Sequence, residues 1–66
     1  MTVTVNGVRW ELAEGTMLAD VLARLDLPGR GVAVALDGSV VPRASWPATA
    51  LVDGASVEVH TAVQGG

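Results

Sequence analysis

Asn6-Gly7 stands between two runs of alternating polar and apolar β-formers, Thr2-Val3-Thr4-Val5 and Val8-Arg9-Trp10-Glu11-Leu12. Asn-Gly is the favoured pair for a two-residue type I′ turn, because both central residues must take positive φ and both tolerate it. A turn of that type fixes the pairing on either side of it. Val5 must face Val8, Val3 must face Trp10 and Met1 must face Leu12, while Thr4 meets Arg9 and Thr2 meets Glu11 on the other face. Turn and hydrophobic pattern specify the same register, since a slip of one residue would move the whole apolar set into water. The chain therefore opens with a hairpin that has one apolar face, with Trp10 in the core or at its edge. A lone hairpin is marginal in water, so something apolar has to cover it.

The next segment supplies the cover. Glu14-Gly15 interrupts the strand pattern, and Thr16 is the expected N-cap of a helix over residues 17–25. Leu18, Val21, Leu22 and Leu25 follow the i, i+3, i+4, i+7 spacing of one buried stripe. Asp20 and Arg24 are spaced for a weak surface pair, and Leu27-Pro28-Gly29 stops the helix. So short a helix does not hold alone in water, so its stripe must pack on the sheet.

Gly31-Val32-Ala33-Val34-Ala35-Leu36 is apolar without alternation, which predicts a strand covered on both faces. Asp37-Gly38 makes a second hairpin turn that returns through Val40-Val41, and Pro42 ends that strand. Residues 43–51 read as an irregular connection containing Arg43, Trp46 and Pro47, with Trp46 either capping the core or exposed as a partner contact. Asp53-Gly54 makes a third turn, and Ser56-Val57-Glu58-Val59-His60 alternates as a last strand with His60 on its polar face.

Composition removes several classes of function. With 66 residues there is room for one domain only. Cysteine is absent, which excludes a disulfide staple or a thiolate metal site, and a single His makes a metal centre unexpected. The net charge of −3 and the scattered Arg9, Arg24, Arg30 and Arg43 argue against nucleic acid. No apolar run is long enough to span a bilayer, so a soluble, cytoplasmic protein without a membrane partner is expected. Ser39, Ser45 and Ser56 lack a Gly-x-Ser-x-Gly frame and a second His to serve them, and the glycines lack phosphate-loop spacing. The chain does not read as an enzyme.

What remains is the end of the chain, Thr61-Ala62-Val63-Gln64-Gly65-Gly66. A Gly-Gly terminus offers a carboxylate with no Cβ beside it, on backbone free to take conformations closed to other residues. Six such residues extend about 20 Å, at roughly 3.3–3.6 Å each, which is enough to enter another protein's active site. The expected organisation is a folded domain over residues 1–60 and a flexible tail over residues 61–66. Lysine is missing altogether, so an activated C-terminus would find no side-chain amine of its own to acylate. The high apolar content of so small a chain predicts a docking surface for a partner drawn from Val40, Val41, Trp46 and Leu51.

The order hairpin, helix, hairpin, irregular connection, last strand resembles the ubiquitin-like β-grasp. Within that fold class (α+β, a mixed sheet of four to five strands on one main helix) the chain is most similar to the small sulfur carriers of bacterial thiamin biosynthesis. The residues that carry the resemblance are Val5-Asn6-Gly7, Gly15-Thr16-Met17-Leu18, Leu25 to Pro28 and Gly31-Val32-Ala33-Val34-Ala35. They continue through Val41-Pro42-Arg43, Trp46 and Asp53-Gly54 to Ala62-Val63-Gln64-Gly65-Gly66. Asp37 stands where relatives often have Asn, and both suit the turn. The resemblance implies a last strand parallel to the first at the centre of the sheet, whereas local pattern alone would pair it with its sequence neighbour.

It also implies a chemistry. Gly66 would bear the sulfur as a thiocarboxylate, with Gly65, Gln64 and Val63 threading a partner's active site. The implied partners are a ubiquitin-activating-type adenylating enzyme, thiazole synthase and, indirectly, a cysteine desulfurase. ATP would be used by the activating partner, with no cofactor bound by this chain. The neighbouring alternatives are a sulfur carrier for molybdopterin, cysteine or tRNA thiolation, and a β-grasp interaction module with an inert Gly-Gly end.

Overall fold

A computed structural model describes residues 1–62. The elements, in chain order, are β1 (Thr2–Val5), β2 (Val8–Glu11), α1 (Leu18–Ala23), β3 (Val32–Leu36), β4 (Ser39–Val40), a 3-10 helix (Arg43–Ala48) and β5 (Ser56–Thr61). The five strands form one sheet in the order β2-β1-β5-β3-β4.

The first hairpin has the register its turn dictates: Val5 opposite Val8, Thr4 opposite Arg9, Val3 opposite Trp10 and Thr2 opposite Glu11. Asn6 and Gly7 both take positive φ, at 50° and 81°, as a type I′ turn requires. Met1 and Leu12 exchange both backbone hydrogen bonds at 2.8 Å, which extends the ladder by one pair. Asp37 and Gly38, at φ 49° and 86°, repeat the turn between β3 and β4. That return is shorter than Val40-Val41 promised, because Val41 falls outside β4 while still donating its N–H to Val34 O at 2.8 Å.

The helix starts later and ends earlier than the sequence predicts, and the reason is tertiary. Thr16 does not cap it. Its hydroxyl donates to Ala13 O at 2.6 Å, and its carbonyl accepts the Leu51 N–H at 3.1 Å. Met17 pairs with Ala50 in an isolated antiparallel bridge, and Leu18 N–H donates to Thr49 O at 2.8 Å. The entry is completed by Asp20, whose carboxylate accepts the Met17 N–H at 2.8 Å. Asp20 is thus a capping residue and not the partner of Arg24. The last turn tightens, with Arg24 N–H to Val21 O and Leu25 N–H to Leu22 O, both 3.1 Å.

Two other expectations are corrected. The stretch from 43 to 48 is a 3-10 helix, anchored by the buried Trp46. The strand β3 is covered on one face only: Val34 is buried while Ala33 is exposed, so its unbroken apolar pattern comes from small alanines on the open side. On the covered side Val3, Leu18, Val21, Val34 and Val57 are the most completely enclosed side chains. They bring β1, α1, β3 and β5 into one core with Val5, Leu12, Leu22, Trp46, Leu51 and Ala55.

Candidate functional site

The last strand is the element that holds the C-terminus, and it lies in the middle of the sheet. On one side β5 runs parallel to β1, with Thr4 opposite Ser56 and Val5 opposite Val57. On the other it runs antiparallel to β3 over five pairs, from Leu36–Val57 to Val32–Thr61. Thr4 N–H donates to Ala55 O at 2.9 Å and Asn6 N–H to Val57 O at 2.8 Å, which ties the start of β5 to β1.

Beyond Val57 the backbone of β1 has turned away, and a side chain takes over. Asn6 accepts the Val59 N–H on Oδ1 at 2.8 Å and donates Nδ2–H to Val59 O at 3.3 Å. The amide of the turn residue therefore mimics one more strand residue beside β5. Sequence reading identified Asn6 as a turn former only. Its second role depends on a residue 53 positions away, which no local pattern shows.

The end of β5 is closed by Gly31, whose carbonyl accepts the Ala62 N–H at 2.6 Å. Gly31 has φ 76°, and a Cβ built there would stand 3.2 Å from the Ala62 Cβ. A side chain at 31 is disfavoured twice, by backbone conformation and by contact. The sheet thus includes Thr61 and holds Ala62, so the folded body extends past residue 60. The positions expected to do the chemistry, Val63, Gln64, Gly65 and Gly66, lie outside the described residues.

The four residues expected to form a docking surface separate. Val40 is exposed (75 %), and Val41 is half-buried. Trp46 and Leu51 are core residues, at 8 % and 4 % exposure, and do not join Val40 in an exposed patch. Trp46 is fixed by an Nε1–H donated to Val41 O at 2.9 Å, and the Arg43 guanidinium lies 4.8 Å from its ring centroid. Val40 instead shares the open face of the sheet with Ala35, directly opposite it on β3.

His60 is exposed on that open face, opposite Ala33. Among the described residues no three His, Cys, Asp or Glu side chains gather where they could hold a metal ion. None of the described helices is long and apolar enough to cross a membrane. The described part is a five-stranded base that holds Ala62 beside Gly31.

A parallel central last strand, flanked by two hairpins and crossed by one helix, defines a ubiquitin-like β-grasp protein. Comparison with known proteins narrows the class. The model of the ThiS family matches residues 3–66, nearly the entire chain. Among solved structures, the crystal structure of a thiamine biosynthesis protein (ThiS) from Geobacter metallireducens is 33% identical over 100% of both chains, with a TM-score of 0.80. The solution structure of a thiamine biosynthesis protein from the same organism is 33% identical over 100% of this chain and 88% of that one, with a TM-score of 0.78. No curated protein sequence matches the chain. The chain belongs to the ThiS family, small sulfur carriers built on this fold.

Proposed function

We propose that this protein carries sulfur for thiamin biosynthesis as a thiocarboxylate on Gly66, and gives it up to thiazole synthase in the cytoplasm. The observation that supports this most directly is the fastening of β5 through Thr61 and Ala62, in a chain whose family match runs on through residue 66. A base of that kind lets a partner grip the domain while it works on the chain's end.

The chemistry has to begin with activation. A terminal carboxyl with pKa about 3.5 is an anion at neutral pH and a poor electrophile. In the proposed sequence a Gly66 carboxylate oxygen attacks the α-phosphorus of ATP on an adenylating enzyme, and pyrophosphate leaves. The resulting acyl-adenylate is attacked at carbon by a persulfide sulfur, and AMP leaves. A second thiol then attacks the sulfur of that persulfide nearest the enzyme, releasing the thiocarboxylate and leaving a disulfide behind. Nucleotide binding and acid–base work belong to the partners, while this chain contributes the reacting carbon and its presentation. Gly65 keeps the backbone beside that carbon narrow, and Gln64 and Val63 are the first positions at which side chains meet the channel mouth.

The acceptor is tested by reconstitution. The chain, loaded by an adenylating enzyme with ATP and a sulfur source, is offered to thiazole synthase and, separately, to molybdopterin synthase. Thiazole formation with the first and no transfer through the second is the expected result. Transfer through the second alone would overturn the assignment to thiamin.

A further inference from the structure

A groove of about 350 Å³ opens on the helix side of the sheet, lined by Leu22, Ala23, Leu27, Val32, Arg43 and Trp46 among others. It lies between the end of α1, the loop into β3 and the 3-10 helix. Its floor is apolar, and its charge differs from that of the rest of the chain. Arg43 lines it, Arg24 follows Ala23, and Arg30 precedes Gly31-Val32, so three of the four arginines lie on or next to this groove. One carboxylate, Asp26, falls in the same loop, whereas the rest of the chain holds Arg9 and six acidic residues. In a protein of net charge −3 this is a local cationic rim.

None of these three arginines is in an ion pair among the described residues. Among the described residues the only ion pair is that of the Met1 α-ammonium with Glu14, at 3.5 Å. Arg24, Arg30 and Arg43 are all exposed, and the Arg43 guanidinium lies 4.8 Å from the Trp46 ring centroid. The groove also adjoins the chain's exit, because Val32 lines it and is paired with Thr61, and Gly31 binds Ala62. A protein that takes residues 63–66 must come close to this rim.

We propose that the groove docks an acidic, apolar segment of the enzyme that receives the C-terminus: a leucine- or phenylalanine-like side chain in the groove, flanked by aspartate or glutamate on the arginines. The identity of that enzyme rests on the carrier reading, while the groove's preference for an acidic, apolar segment does not. The proposal places a second contact beside the tail, on the side of the sheet opposite Val40 and Ala35.

Two measurements test it. In the first, adenylation of the full chain is followed by pyrophosphate exchange for the wild type, R30E/R43E, R24E/R30E and the open-face control R9E. Charge reversal at the rim is expected to raise KM about tenfold at low ionic strength with kcat unchanged, and to lose most of that effect at about 0.5 M salt. R9E is expected to stay within about twofold of wild type. The R24E/R30E pair guards against a fold defect at the Arg43–Trp46 stack. In the second, the labelled chain is titrated with the peptide Asp-Phe-Asp-Leu-Glu and with Lys-Phe-Lys-Leu-Lys, observed by amide and indole NMR. The acidic peptide is expected to shift Leu27, Val32 and the Trp46 indole, and the basic one to leave them in place. Rim variants indistinguishable from R9E, or two peptides acting alike, would overturn the proposal. If no adenylating enzyme accepts the wild-type chain, the carrier reading fails and the peptide titration alone decides the groove.

Discussion

Replacing Asn6 by glycine separates its two roles, because glycine takes positive φ more readily than asparagine but has no amide. If Asn6 served the turn alone, N6G would be neutral or slightly stabilising. The structure adds two hydrogen bonds to Val59, one at 2.8 Å and one longer at 3.3 Å. A net hydrogen bond contributes roughly 0.5–1.5 kcal/mol, and these lie near the surface, so the pair is worth about 1–2 kcal/mol. Relief at φ 50° returns a few tenths, leaving a loss of about 1 kcal/mol in N6G. For a domain of this size that lowers Tm by about 4–8 °C. N6A loses the bonds and keeps an unfavourable φ, so it should fall further, by about 2 kcal/mol in total. Thermal and urea unfolding followed by circular dichroism and tryptophan fluorescence gives both numbers, and amide exchange at Val59 localises the effect. An N6G variant as stable as wild type, with Val59 protection unchanged, would refute the clamp.

Three further substitutions probe other parts of the account. Gly31→Ala should destabilise the domain by about 1–2 kcal/mol through its positive φ and the 3.2 Å approach to Ala62, and amide exchange at Ala62 should rise more than at Val57. Trp46→Phe removes the indole bond to Val41 O and part of a buried ring, and should cost about 1–3 kcal/mol in urea unfolding, where an exposed docking residue would cost nothing. Gly66→Ala should leave the unfolding curve unchanged while severely slowing adenylation, because a methyl group crowds the attacked carbon. Normal adenylate formation by that variant would remove the steric argument.

What was legible in the sequence was local. The Asn6-Gly7 turn and the period-two pattern around it specify every pairing of the first hairpin, because both signals act within a dozen residues. The parallel neighbour of β1 is more than fifty residues away, and nothing in Ser56-Val57-Glu58-Val59 distinguishes a parallel partner from an antiparallel one; the resemblance supplied it. Helix ends failed for the same reason. Thr16 has the chemistry of an N-cap, but its backbone is claimed by Leu51, and Asp20 completes the entry from inside the helix. Trp46 was ambiguous because a 3-10 turn carries little periodicity, and its burial depends on the carbonyl of Val41 waiting for the indole. The groove beside it stayed hidden because its lining comes from α1, the loop into β3 and the 3-10 helix, which meet only after folding.

The central claim concerns a single atom at the end of the chain, and intact mass spectrometry reads it directly. After incubation with a ubiquitin-activating-type adenylating enzyme, ATP and a sulfur donor, the protein should gain the mass of one oxygen-to-sulfur exchange, localised by fragmentation to Gly66 and dependent on ATP. An unchanged mass with competent enzyme, or a sulfur found anywhere but the terminal carboxyl, would contradict the account.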